Sequence, residues 1–135
     1  MDKPVNKNVD TTKATFKKEE HLCSKKIIDK LFSEGASFLS YPLKIVYLKS
    51  ELPTRFPVQA AFSVSKKNYK RAVKRNLLKR RMRESYRTNK YSLYKNCDKQ
   101  LAVFFIYVGK EIMEYQKIEA ALIKALLRLQ DELVK

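Results

Sequence analysis

Alternating hydrophobic and polar positions along the chain predict a small β-sheet. Alternation is clear in Pro42–Ser50 and in Val58–Ser65, where every second residue falls on a common face. The run Leu101–Val108 is continuously apolar and rich in β-branched and aromatic residues, which is typical of a central strand buried on both faces. A short extra strand near Phe38–Tyr41 brings the expected total to about four strands.

Helical spacing of apolar residues predicts three helices around this sheet. The first covers about Lys18–Ser33 and is followed by Gly35, placed where a left-handed glycine cap ends a helix. A basic helix runs from about Lys70 to Thr88, and an amphipathic helix covers Glu111–Val134. Residues 89–100 are predicted to form a polar linker. The pattern predicts one α+β domain (an α/β sandwich) over residues 15–135, preceded by a flexible polar and basic tail at residues 1–14.

The charge of the chain is concentrated in its middle. The 135 residues carry a net charge of +16, yet Leu52–Cys97 contains a single acid, Glu84. Lys66–Lys90 alone holds twelve Lys or Arg residues. So many like charges on one segment repel each other unless a polyanion neutralises them, and a nucleic-acid backbone is the expected polyanion. An anionic membrane surface is the lesser alternative, because no long apolar run or Trp anchor accompanies the charge.

A helical-wheel projection separates the basic helix into two sides. Leu78, Met82 and Tyr86 form one apolar stripe, which predicts the side that packs on the core. Beside it, six polar side chains share an arc of about 140°, and Lys66 and Lys67 extend this strip from the end of the second strand. The predicted RNA-binding residues are Lys66, Lys67, Lys70, Arg71, Arg75, Asn76, Lys79, Arg80, Arg83 and Arg87. A solvated basic face without a partner is the alternative interpretation.

Aromatic side chains add a second kind of candidate. Single-stranded RNA is bound by stacking its bases on exposed rings beside cations. Phe32, Tyr47 and Phe62 are the candidates from the first helix and the two alternating strands. For any one of these rings, packing in the core is the commoner role, and the pattern does not show which face of the sheet is open.

Few residues in the chain are suited to catalysis. There is one histidine, His21, and the basic segment has one acid, so neither a histidine pair nor converging carboxylates for a metal are expected. Cys23 and Cys97 lack the spacing of a zinc site, which favours two free thiols in a reducing cytoplasm. No signal peptide is visible, and no apolar run is long enough to span a membrane. Any catalysis would therefore come from a partner.

The segment Ser63–Arg87, SVSKKNYKRAVKRNLLKRRMRESYR, resembles the signature of the bacterial ribonuclease P protein subunit. That family carries a strand ending in S-x-[SA]-K-K, then a turn, then A-V-x-R-N-R-x-K-R-x-x-R-E. The matching positions are Ser63, Ser65, Lys66, Lys67, Ala72, Val73, Arg75, Asn76, Lys79, Arg80, Arg83 and Glu84. The similarity extends over about Thr15–Leu129. Leu77 departs from it where a second Arg is usual, and Arg81 departs where an apolar residue is usual.

The resemblance implies a sheet sandwiched by helices, with the basic helix in a left-handed strand–helix–strand crossover. It implies a subunit that joins a catalytic RNA and helps to remove the 5′ leader from precursor tRNA. The RNA would supply the active site and its Mg²⁺, so no cofactor or metal bound by the chain, and no obligate protein partner, is expected. Phe32 and Tyr47 would lie in a cleft that holds the leader. The alternatives are another RNA-binding protein, such as a ribosomal or RNA-chaperone component, and a duplex-DNA reader.

Overall fold

Strand β4 (Leu101–Tyr107) lies inside a four-stranded sheet in a computed structural model that describes residues 15–134. The other strands are β1 (Ala36–Ser40), β2 (Leu43–Lys49) and β3 (Val58–Val64), in the spatial order β1-β2-β4-β3. β4 pairs antiparallel with β2 and parallel with β3. The predicted α+β class and the sheet of about four strands are confirmed. The predicted tail at residues 1–14 lies outside the described residues.

The helices differ from the predicted pattern in number and in where they begin: the basic helix starts at Ala72 instead of about Lys70, and the last helix at Tyr115 instead of Glu111. The α-helices of residues 15–134 are α1 (Lys25–Glu34), α2 (Ala72–Asn89), α3 (Tyr91–Lys95) and α4 (Tyr115–Leu133). Three helices were expected, and α3 occupies part of the predicted polar linker. α2 connects the parallel neighbours β3 and β4, as in the expected strand–helix–strand unit.

The first helix begins seven residues later than its apolar spacing predicts, at Lys25 instead of Lys18. A short 3₁₀ turn covers Lys18–Glu20, and the chain then straightens. There the amide of Leu22 donates to the carbonyl of Ala60 in β3, 3.0 Å away. The Ser24 hydroxyl accepts a hydrogen bond from the Ile27 amide and caps the helix. Pairing with a distant strand therefore overrides the local helical pattern.

Gly35 ends α1, but the prediction of a left-handed cap is wrong. Its φ is −73°, an angle that any residue can adopt. Glycine is required for space: a Cβ at this position would lie 2.4 Å from the carbonyl oxygen of Leu31 and 2.8 Å from that of Tyr47. The missing side chain lets the end of α1 approach β2 closely.

The two faces of the sheet bury two separate sets of side chains. On one face, α2, α3 and α4 cover residues that include Ile45, Val103 and Phe105. On the other face, the smaller α1 packs with Leu31 against Val46 and Ala102. Because α1 is only ten residues long, part of this second face is left accessible.

A buried ion pair fastens the segment before α1 to the far end of α2. Glu20 is fully buried, and Lys90 is 2% exposed. Glu20 accepts hydrogen bonds from the Lys90 ammonium and from the Tyr94 hydroxyl, the latter at 2.7 Å. The Tyr86 hydroxyl donates in turn to that of Tyr94. Burial lowers the pKa of Lys90, and its pairing with Glu20 opposes this shift. The charges are thus removed from water but satisfied by each other.

We expect Lys90→Ala to reduce the free energy of unfolding by about 3–5 kcal/mol, because the buried Glu20 carboxylate would lose its cation. Urea unfolding followed by circular dichroism measures this change. Lys95→Ala, on the exposed side of α3, is the matched control and should stay within about 0.5 kcal/mol of the unsubstituted protein. Equal effects of the two substitutions would contradict the importance of the pair.

We expect the two cysteines to differ in reactivity. Cys23 is exposed, whereas Cys97 is buried, and burial raises the pKa of its thiol to about 12. Because the thiolate is the reactive form, Cys97 should stay inert at pH 8 in the folded protein. Titration with a thiol reagent should therefore count one group in the native chain and two after denaturation. Equal rates for both thiols in the native chain would refute this assignment.

Candidate nucleic-acid interface

Helix α2 is oriented by the apolar stripe that its sequence predicts. Leu78, Met82 and Tyr86 are fully buried, and they face β3 and α4. Tyr86 lies at the centre of this contact, with its ring 5.5 Å from that of Phe62 and 5.6 Å from that of Phe105. With this stripe inside, the opposite side of α2 faces solvent.

The predicted RNA-binding residues lie along this solvent side and on the connection between β3 and α2. Seven of the ten are exposed: Lys66, Lys67, Lys70, Arg71, Asn76, Arg80 and Arg83. Arg75, Lys79 and Arg87 are half-buried. The cationic strip therefore runs from the end of β3 over the length of α2.

The first turn of α2 widens the cationic surface beyond the predicted arc. Lys74 is exposed, although it is not among the predicted RNA-binding residues, and Val73 beside it is 79% exposed. The deepest burial on α2 begins at Leu78, so the turn before it is open on several sides. Lys74 is an additional candidate for a phosphate contact. Lys74 is a candidate because it lies in the exposed first turn of α2, and not because of its angle in the helical-wheel projection.

Arg87 carries its own counter-charge. Its guanidinium makes two hydrogen bonds with Glu84, one of them 3.0 Å from Nε to Oε2. This pairing lowers the pKa of the Glu84 carboxyl. A phosphate group must compete with Glu84 for Arg87. This arginine should therefore contribute less to RNA binding than an arginine without an acidic neighbour.

The two departures from the family pattern have different surroundings. Arg81 is half-buried, and its Nη1 donates to the carbonyl of Met113, 2.6 Å away, in the loop before α4. An apolar residue at this position could not make that bond, so Arg81 ties α2 to the loop. Leu77 is half-buried at the edge of the cationic strip.

A partly exposed aromatic pair lies on the other face of the sheet. Phe32 of α1 is 51% exposed, and its ring centre is 5.1 Å from that of Phe104 in β4. Lys44 of β2 pairs with Ile106 of β4 on the same face and is exposed. Phe104 was not among the predicted candidates, because a continuously apolar strand does not reveal which of its residues are left partly open.

Tyr47 and Phe62 do not line the same cleft as Phe32, which corrects the prediction. Strand alternation points both side chains to the face covered by α2 and α4. The Tyr47 hydroxyl donates to a carboxylate oxygen of Glu132 in α4, 3.3 Å away. Phe62 stacks on Phe105 at 5.3 Å between ring centres. Both rings serve the packing of the core.

Among residues 15–134, no three His, Cys, Asp or Glu side chains form a group that could hold a metal ion. The same residues include no helix that is both long and apolar enough to cross a membrane.

This α+β domain has a strip of cations on one helix and a partly exposed aromatic pair on the opposite face of its sheet. These two features define a nucleic-acid-binding protein. A family model described as Ribonuclease P matches residues 16–130. The chain belongs to the ribonuclease P protein family.

Sequence relatives cover most of the chain. The ribonuclease P protein component of Porphyromonas gingivalis is 38% identical over 125 residues, which are 88% of this chain and 90% of the relative. The component from Chlorobium phaeobacteroides is 40% identical over 106 residues, which are 70% of this chain and 73% of the relative.

Solved structures share the fold. The ribonuclease P protein of Staphylococcus aureus has a TM-score of 0.65 at 20% identity, covering 82% of this chain and 94% of that one. The Thermotoga maritima protein has a TM-score of 0.65 at 24% identity, covering 81% and 96%. The sandwich of a four-stranded sheet between helices is therefore the fold of this family.

Arg83→Ala should weaken RNA binding without unfolding the chain, because the side chain is exposed on the strip. Losing one phosphate contact should reduce the slope of log K against log salt by about 0.7–0.9. Filter binding of a bacterial ribonuclease P RNA at several salt concentrations measures the slope. Lys124→Ala, an exposed cation on α4, is the control and should leave the slope unchanged. Equal slopes for both variants would show that Arg83 does not contact the RNA.

Proposed function

We propose that this chain is the protein subunit of ribonuclease P, which binds the catalytic RNA and helps it to remove the 5′ leader from precursor tRNA in the cytoplasm. The observation that carries the proposal is the cationic side of α2, exposed in a chain whose family match covers residues 16–130. Both RNA partners are polyanions, and this surface has the charge needed to bind either.

In this proposal, the RNA subunit performs the cleavage and the protein supplies positive charge. Phosphodiester hydrolysis assisted by Mg²⁺ needs oxygen ligands for the ion, which phosphate groups provide and Lys or Arg side chains do not. Exposed cations such as Arg80 and Arg83 instead neutralise phosphates where two RNA molecules meet. The protein should therefore lower the concentration of Mg²⁺ that the RNA needs.

The aromatic pair on the α1 side of the sheet is the proposed site for the leader. Phe32 and Phe104 offer ring surface to an unpaired base, and Lys44 offers a cation on the same face. Stacking is tolerant of sequence, because every base has a π-face. This suits a subunit that must accept precursors with different leaders.

The decisive test is processing of precursor tRNA with and without a bacterial ribonuclease P RNA. Purified, RNA-free protein should not cleave. The RNA alone at low Mg²⁺ should cleave slowly, and adding the protein should raise the rate. An Arg80→Ala/Arg83→Ala variant should need more Mg²⁺ for the same rate, whereas Lys124→Ala should behave as the unsubstituted protein. Cleavage by RNA-free protein, or a rate that the protein leaves unchanged, would overturn the proposal.

A further inference from the structure

Four exposed cations lie on the short connection between β3 and α2. They are Lys66, Lys67, Lys70 and Arg71. Long charged side chains on an unrestrained connection would move apart, because like charges repel and a free chain has many conformations. The structure shows two anchors that restrain this connection.

The first anchor is Tyr69, a residue that separates the two pairs of cations. Its side chain points into the core and is only 6% exposed. Its hydroxyl donates to the carbonyl of Gly109 at 2.8 Å, just after β4. Its amide donates to the carbonyl of Ser65 at 3.0 Å, which closes the turn. The middle of the connection is thus held against the core of the domain.

The second anchor is Arg75, in the first turns of α2. Its Nη1 donates to two carbonyls of the connection, that of Tyr69 at 2.8 Å and that of Lys70 at 2.7 Å. Hydrogen bonds from a charged donor are about twice as strong as neutral ones. The guanidinium folds back on the chain that precedes the helix. This differs from the sequence prediction, in which Arg75 is exposed and faces RNA.

We propose that Arg75 is a positioning residue for RNA binding: with Tyr69, it holds the connection so that Lys66, Lys67, Lys70 and Arg71 continue the cationic side of α2. The proposal rests on the proposed function in taking the ribonuclease P RNA as the ligand. Preorganised cations bind more tightly than the same cations on a mobile segment, since ordering them costs free energy on binding. Arg75 thus affects several phosphate contacts through a segment that it does not belong to.

The competing assignment is that Arg75 contacts one phosphate, as is expected for Arg83. The two assignments predict different salt dependence for Arg75→Ala. Loss of one contact lowers the slope of log K against log salt by about 0.7–0.9, whereas release of the connection should lower it by about two or more. Tyr69→Phe distinguishes the two assignments further, because it removes the hydrogen bond to Gly109 without removing a charge. We expect Tyr69→Phe to lower both affinity and slope.

A double-mutant cycle provides the second readout. In the unsubstituted background, Lys66→Ala/Lys67→Ala should weaken RNA binding by about 10-fold or more at low salt, as expected for the loss of two charge contacts. In the Arg75→Ala background, the same double substitution should weaken RNA binding only a few-fold, because the Lys66 and Lys67 side chains are already displaced from the RNA. In the Arg80→Ala background, substituting Lys66 and Lys67 should still cause the full loss of RNA affinity, since Arg80 makes an independent contact.

Hydrogen exchange and the Tyr69→Phe variant keep the outcomes distinct. Hydrogen exchange should show faster exchange of amides at residues 66–71 in Arg75→Ala, with those of β4 still protected. If that variant does not fold, Tyr69→Phe and its cycle with the lysine pair decide the question. Three results together would overturn the positioning role. Arg75→Ala would lower the slope of log K against log salt by only about one unit, and its loss of affinity would add fully to that of the lysine pair. Tyr69→Phe would bind RNA as the unsubstituted protein does. Failure of the unsubstituted chain to bind the RNA would instead refute the proposed function.

Discussion

Burial of Leu78, Met82 and Tyr86 against the sheet is the constraint that determines how α2 presents its charges. Each fully buried side chain of this size contributes about 1.5–3 kcal/mol. Two exposed cations about 10 Å apart in water repel each other by only roughly 0.4 kcal/mol, and salt screens even that. The apolar contacts therefore decide the rotation of α2, and the domain accepts a concentrated cationic surface as the consequence. A polyanion then relieves the remaining repulsion.

Both ends of α2 are fastened by polar contacts of different kinds. At the C-terminal end, Lys90 pairs with the buried Glu20 and so docks the segment before α1. That segment brings Phe16 to within 5.6 Å of the Tyr86 ring, which completes the burial of the helix. At the other end, Arg75 bonds to carbonyls of the preceding connection. The helix is thus a rigid support, and rigidity matters because a binding surface loses affinity when it must be ordered first.

The elements that follow from local periodicity were predictable, and those that depend on long-range packing were not. The stripe through Met82 followed from helical spacing alone. The late start of α1 did not, because the chain next to His21 pairs with β3, far away in sequence. Alternation divided each strand into two faces, but which face of β2 and β3 the helices cover, and so whether Tyr47 and Phe62 are packed, depends on the whole sandwich. The half-buried state of Arg75 depends on carbonyls outside the helix that the wheel describes.

The position of β3 at the edge of the sheet connects the two candidate surfaces. In the order β1-β2-β4-β3, the C-terminal end of β3 leads directly into the cationic connection. On the α1 side, Ser63 of β3 pairs with Ile106, which pairs in turn with Lys44. Two strand spacings, about 10 Å, therefore separate Ser63 from Lys44. The cationic connection that contains Lys66 is therefore continuous with the edge strand that borders the open part of the α1 face. An edge strand thus brings the two candidate surfaces next to each other without a long linker.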